Sequence, residues 1–166
     1  FQAIPTLKHF CANNTENERG TASSDVDMRT LNEYYYAAFE RPITCGGAYS
    51  VMAAYNELSG VPAVINPDIQ KVLKDRWGLG FVVTDGGDFS QNVTFHKYSE
   101  SHAETIALAI KNGTDVMTDN EDVVEAAVLE ALNSGLVSEK DIDKALYNRL
   151  LARFRLGEFD EKHPFS

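Results

Sequence analysis

The sequence predicts an α/β fold of parallel βα units, and three observations carry that prediction. Short β-branched or small apolar runs alternate with longer segments whose apolar residues recur at helical spacing. Glycine, proline and asparagine punctuate the boundaries between them. One run, Gly80-Phe81-Val82-Val83-Thr84, ends on Asp85 and breaks at Gly86-Gly87, the pattern of a buried strand that delivers a carboxylate to a loop. Barrel enzymes gather their catalytic groups at the C-terminal strand ends, so Asp85 is a candidate nucleophile or general base. A turn-capping aspartate before two glycines is the plainer alternative.

Each element has its own signal. Ile4 to Phe10 is expected as the first strand, and the polar stretch Asn13 to Ser24 as a long loop. Asp25 to Glu40 reads as a helix, with Met28, Leu31, Tyr35 and Phe39 on one face and Pro42 as its stop. Ala48 to Tyr55 is small and apolar enough for a buried second strand, with a turn over Asn56 to Gly60. The next helix has Asn66 as N-cap, Pro67 at its first position and Asp68 favouring the N-terminal dipole. Ile69, Val72, Leu73 and Trp77 continue its apolar face to Gly78, a natural residue just past a helix end. Phe81 to Thr84 is the third strand. Ser101 to Lys111 is an alanine-rich helix closed by Asn112-Gly113, and Asp115 to Thr118 is the fourth strand. Two helices finish the chain, Asp122 to Asn133 and Glu139 to Leu156, and Ser138 with Asp141 forms a capping-box pattern before the second. Four strands each followed by helix fit an open doubly wound sheet or half of an eight-stranded barrel. Gly78-Leu79-Gly80 precedes a strand instead of following one, so no dinucleotide fingerprint is present.

Composition removes several classes of function. A net charge of −10 without a basic run excludes a nucleic-acid surface. No apolar run approaches the roughly 20 residues that span a bilayer. Cys11 and Cys45 set no disulfide framework and are expected free. The start, Phe1-Gln2-Ala3-Ile4-Pro5, has neither an initiator Met nor a charged leader region, so the chain is expected to be an interior stretch of a longer polypeptide. A cytoplasmic compartment is expected ahead of a secreted one, since the three N-x-T triplets at Asn13, Asn92 and Asn112 arise readily by chance. His96, His102 and His163 lack metal-ligand spacing and read as structural or exposed, and neither metal nor cofactor is expected.

A succession of motifs narrows the fold further. Lys8-His9-Phe10, Asn13-Asn14-Thr15-Glu16 with Arg19, Ser50-Val51-Met52-Ala53-Ala54-Tyr55-Asn56, Gly60-Val61-Pro62-Ala63, Trp77-Gly78 and Phe81 to Asp85 occur in that order. Together they resemble the barrel domain of glycoside hydrolase family 3, the β-glucosidases and β-xylosidases. The tail from Gly135 to Gly157 resembles the closing helices of that domain, so the resemblance runs from about Ile4 to Asp160. It implies the second half of a TIM-type (β/α)8 barrel over residues 1–157, strands about five to eight, with 158–166 opening a linker to a C-terminal α/β domain. It also implies a retaining, exo-acting β-glycosidase, a β-glucosidase first, whose substrate is a β-linked glycoside. Asp85 matches the nucleophile that forms the covalent glycosyl-enzyme. Lys8 and His9 match a pair that hydrogen-bonds sugar hydroxyls, Arg19 a basic residue of the same pocket, and Met52 and Tyr55 positions packed beside the nucleophile and sugar. Lys8 and Arg19 nearby would favour the ionised carboxylate that a nucleophile needs.

The chain departs from the family pattern twice. A bulky residue, often Trp, usually follows the nucleophile, and this chain has Gly86, so the resemblance leaves the sugar open. Retention also needs a second carboxyl about 5 to 5.5 Å from the first. The resemblance places that acid in the C-terminal domain, and the Asp-His loop used by another branch of the family is missing here. Within the chain, Glu16, Glu18 and Asp88 are the first candidates for it. The alternatives are a sugar-binding or assembly fragment that is inactive alone for want of that acid and of the N-terminal half-barrel, and an unrelated doubly wound protein.

Overall fold

The computed structural model describes residues 1–162, and His163 together with the end of the expected linker lies outside the described residues. Three parallel strands form the main sheet: β1 (Thr6–Phe10), β3 (Ser50–Ala53) and β6 (Phe81–Val83), with β3 in the middle. Thr6 pairs with Ser50, Ser50 with Phe81 and Met52 with Val83. Val116 joins β6 through a parallel bridge to Val83. The parallel segments therefore follow chain order without reversal. That is the order of an arc of a βα barrel, whereas a doubly wound sheet reverses at a switch point.

The fourth segment is thinner than its sequence suggests. Only Val116 bridges, because Asp115 meets β6 with its side chain: Oδ2 accepts the Val82 N–H at 2.8 Å, where a strand would offer a backbone carbonyl. The Asp115 and Val116 N–H groups still donate to the Val82 carbonyl, and the ladder continues from Thr84 N–H to the Val116 carbonyl and from Gly87 N–H to that of Thr118.

The first helix, α1, runs on through Met28–Thr30, a π-helical Leu31–Tyr36 and Ala37–Thr44. It starts later than Asp25 because Asp27 caps it, accepting from the N–H groups of Arg29 and Thr30 at 3.0 Å each. Pro42 lies inside the helix instead of stopping it. The residue forfeits one backbone bond in the final turn, and its carbonyl accepts from Gly46 and Ala48, turning the chain toward β3.

Helix α2 (Ile69–Arg76) is also π-helical, and Asn66 receives the Asp68 N–H on its side-chain oxygen at 2.9 Å. Gly78 closes it with φ +74°, a conformation that a side chain resists. Helix α3 (Asp88–Thr94) follows Gly87, whose φ of +77° makes the break after the third strand. Then come α4 (His102–Lys111), α5 (Glu121–Asn133) and α6 (Glu139–Arg155), the last with its Ser138–Asp141 capping box formed.

The expected turn over Asn56 to Gly60 is instead a small hairpin, β4 (Glu57–Leu58) with β5 (Val61–Pro62), and β2 (Ser23–Ser24) pairs parallel to β4. Two apolar clusters hold the layers together. Phe10, Tyr36, Val51, Leu73, Trp77 and Val82 seal α1 and α2 to the sheet. Phe89, Ile106, Ala127, Ala131 and Val137 join α3, α4 and α5. Cys11, buried, and Cys45, exposed, are both free.

Candidate active site

Parallel strands deliver their C-terminal ends to one edge of the sheet, and Asp85, His9, Met52, Tyr55 and Arg19 gather there. Asp85 leaves β6 with its carboxylate partly open, 24% exposed. Its Oδ1 accepts the N–H of Gly86 at 2.7 Å, and Oδ2 lies 3.0 Å from Nε2 of His9. His9 stands near the end of β1, so one contact closes a path across all three strands. Met52, half-buried, pairs with Val83, two residues before Asp85 and hence on the same face of β6.

Tyr55 comes from the loop after β3. Its hydroxyl donates to the Gly86 carbonyl at 2.7 Å. Burial and then the charges of Asp85 and Asp88 push its phenol above the ordinary value, with Arg19 pulling the other way. The Arg19 guanidinium lies 4.3 Å over the Tyr55 ring and pairs with Glu16, so it reaches Asp85 through the tyrosine. Lys8 is exposed and borders, with His9, Tyr34, Tyr35 and Phe39, a cavity of about 490 Å³ on the side toward α1. The basic side chain against Asp85 is therefore His9 and not Lys8.

Asp88 is the other carboxyl of this neighbourhood, and it differs in kind. It is 1% exposed, its N–H donates to the Asp85 carbonyl at 3.2 Å, and its Oδ2 has no hydrogen-bond partner among the described residues. Burial pushes its pKa well above the ordinary carboxylate value, and the charges of Asp85 and Asp119 add to that. Asp88 is thus a carboxyl shut into the wall of the site. Glu16 and Glu18 lie on the exposed loop beside Arg19. Gly86 faces open space, since a Cβ built there meets nothing within 4 Å.

Sequence reasoning missed the pair behind Tyr55. The His96 ring is buried, with Nδ1 3.1 Å from Oε1 of Glu57 and Nε2 2.9 Å from the carbonyl of Tyr55. Its structural reading was correct in kind, but no local pattern joins Glu57 to a histidine 39 residues on. Two of the three glycosylation triplets are folded away. Asn92 is fully buried, donating to the carbonyls of Asp88 and Phe89, and Asn112 donates to that of Ile65.

Known proteins resemble the chain over most of its length. The model of the glycosyl hydrolase family 3 N terminal domain matches residues 1–152. A probable exo-1,4-beta-xylosidase of Aspergillus clavatus is 31% identical over 176 residues, 99% of this chain and 23% of that protein. A beta-glucosidase of Rhizobium radiobacter is 37% identical over 166 residues, 96% of this chain and 18% of that protein. The solved structure of a beta-glucosidase from Erythrobacter marinus superposes with a TM-score of 0.87 at 28% identity, covering 98% of this chain and 22% of that one. The chain thus spans about a fifth of the length of the relatives it matches.

Proposed function

The chain belongs to glycosyl hydrolase family 3, and from that premise we propose that it carries the nucleophile of a retaining, exo-acting β-glycosidase, with a terminal β-linked glucose as the first choice of sugar. One observation carries the reading. Asp85 sits at the C-terminal edge of the parallel sheet with one oxygen oriented by a backbone N–H and the other by His9, while its carboxylate stays partly open. A nucleophile needs that combination of fixed aim and access.

In the first step an Asp85 oxygen attacks the anomeric carbon. The bond to the leaving oxygen breaks, that oxygen takes a proton from a general acid, and a glycosyl-aspartate forms. In the second step water displaces Asp85 with a second inversion and gives its proton back to the conjugate base of that acid, so that the configuration is retained overall. Tyr55 holds the carbonyl of Gly86, the residue whose N–H fixes Asp85, and Arg19 lies against Tyr55. Lys8 and His9 are assigned to the sugar hydroxyls. Met52 is assigned to the wall beside the nucleophile.

Asp88 does not serve as the acid, because a carboxyl with 1% exposure cannot reach the glycosidic oxygen. We assign the acid to polypeptide outside this chain, along with the first half of the barrel. Among the described residues β1 pairs only with β3, and the bridge at Val116 is made only to β6, which supports an arc awaiting neighbours on both sides.

The test is Asp85→Ala in the whole polypeptide that contains this chain. Turnover of an activated aryl β-glucoside should fall by several orders of magnitude, and added azide should restore part of it as a glycosyl azide of inverted configuration. Unchanged turnover would remove Asp85 from the reaction.

A further inference from the structure

A histidine buried against a carboxylate is weak evidence for stability, because the cost of desolvation offsets the attraction between the two. The His96–Glu57 pair has a position that gives it another use. It is the outer end of a chain of hydrogen bonds that finishes on Asp85. His96 Nδ1 lies 3.1 Å from Glu57 Oε1, and His96 Nε2 lies 2.9 Å from the carbonyl of Tyr55. The Tyr55 hydroxyl donates to the Gly86 carbonyl at 2.7 Å, and the Gly86 N–H donates to Asp85 Oδ1 at 2.7 Å.

The outer links hold because their groups have fixed roles. A carbonyl oxygen only accepts, so Nε2 carries a hydrogen and donates it to Tyr55. Glu57 then faces Nδ1 with one proton between them. His96 is itself anchored: its backbone N–H donates to the Gln91 carbonyl at 2.9 Å as α3 ends, and its side chain is buried. Glu57 stands on β4, which pairs with both β2 and β5. Beyond the peptide that His96 holds, the Asn56 side chain donates to the Cys11 carbonyl at 3.2 Å. The backbone leaving β3 is thus tied on two sides.

The inner link is the one that needs support. Gly86 has no side chain to pack, and a Cβ built there meets nothing within 4 Å. Hydrogen bonds must therefore place it, and the Tyr55 hydroxyl supplies the one to its carbonyl. Tyr55 lies just past β3 and is partly exposed, so whatever fixes its backbone decides where the hydroxyl reaches. A reacting group displaced by about 1 Å loses about 10²-fold in rate.

We propose that His96 and Glu57 are positioning residues: they hold Tyr55 and, through Tyr55 and Gly86, set the aim of Asp85 at the anomeric carbon. The inference rests on the glycosidase reading above. It gives the pair a share in kcat, whereas a plain tether between α3 and β4 has a share in stability alone.

The test uses the whole polypeptide and an activated aryl β-glucoside. Titration with 2-deoxy-2-fluoro-β-glucosyl fluoride counts the folded sites, so that every rate refers to them. The amide nitrogen of asparagine copies the reach of Nδ1, and that of glutamine copies the reach of Nε2. His96→Asn thus loses the bond to Tyr55, and its kcat should fall about 10- to 100-fold with KM little changed. His96→Gln should recover most of that loss, although it too gives up Glu57. In a Tyr55→Phe background, which already lacks the hydroxyl, His96→Asn should cost less than about threefold. Glu57→Ala, at the more open end of the pair, should lower kcat with the same dependence on the Tyr55 hydroxyl, and it decides the matter if His96→Asn does not fold. Equal kcat in the Asn and Gln variants, an undiminished loss in the Tyr55→Phe background, or a change confined to Tm or KM would overturn the positioning role and leave the glycosidase reading in place. A wild-type polypeptide that neither turns over the glucoside nor takes up the fluorosugar would overturn the glycosidase reading, and the positioning role with it.

Discussion

Asp85 and Asp115 lie on neighbouring parallel segments, one just past the end of β6 and the other at the start of the segment beside it. Their surroundings are opposite. The Asp115 side chain is 2% exposed and fully occupied: Lys74 Nζ reaches its two oxygens at 2.7 and 2.6 Å, Asn148 donates at 2.9 Å and Val82 N–H at 2.8 Å. Those contacts tie α2 and α6 to the sheet. Burial pulls the Lys74 ammonium below its ordinary value, while the facing carboxylate pulls it back. Asp85, by contrast, keeps its carboxylate partly open and is held by one neighbouring N–H and one histidine. A saturated carboxylate can only hold structure together. An unsaturated one, aimed and accessible, can do chemistry. The contrast follows the general division of βα folds, in which the C-terminal edge of the sheet reacts and the opposite edge stabilises.

That contrast breaks if the two residues are exchangeable in their effects. The largest expected effect is on rate: Asp85→Asn should lower turnover by about 10⁴-fold or more, while the unfolding midpoint barely moves, because partly exposed pairs contribute little to stability. Asp115→Asn should do the reverse. It leaves the Lys74 ammonium buried without its counter-charge, at a cost of about 3–5 kcal/mol, and the fraction that stays folded should keep the wild-type turnover per active site. Denaturant unfolding and active-site titration of both variants decide the matter. A rate loss at Asp115 matching that at Asp85 would contradict the division.

The smallest effect sharpens the comparison with a third carboxyl, Asp88. Its folded pKa is raised well above the ordinary 3.8, so the folded state keeps a proton that the unfolded chain releases. Its contribution to stability is complete below the unfolded value and is lost as pH rises through the folded one. Asp88→Asn keeps the shape and removes the titration. The variant should match wild type near pH 4 and gain on it by about a few degrees of Tm toward neutrality. Parallel curves across that range would mean that Asp88 does not titrate with folding.

Much of this was legible from local pattern. The run ending at Asp85 and Gly86-Gly87 contained its own strand, break and reactive group, because all three depend on neighbouring residues. Gly78, Ser138 and Asp141 performed the terminal roles their types suggest. The misses share a cause. Helix α3 was invisible because its buried positions include Asp88 and Asn92, where periodicity looks for apolar residues. Pro42 was read as a stop, although a helix near its end tolerates the loss of one bond. The fourth segment was read as a full strand because nothing local says that the Asp115 side chain replaces a backbone acceptor. His9 with Asp85, and His96 with Glu57, meet only through the fold. The motif succession reached His9 and Asp85, but no succession pointed to the second pair.

The central claim is that Asp85, and no other carboxyl here, bonds to the sugar. A 2-deoxy-2-fluoro-β-glycosyl fluoride traps the covalent intermediate of a retaining enzyme, and peptide mapping of the trapped protein reads the attachment point directly. The account predicts one equivalent of sugar on the peptide Phe81 to Asp88, with fragmentation placing it on Asp85. Sugar on Asp88, Asp119 or Glu16 would contradict it.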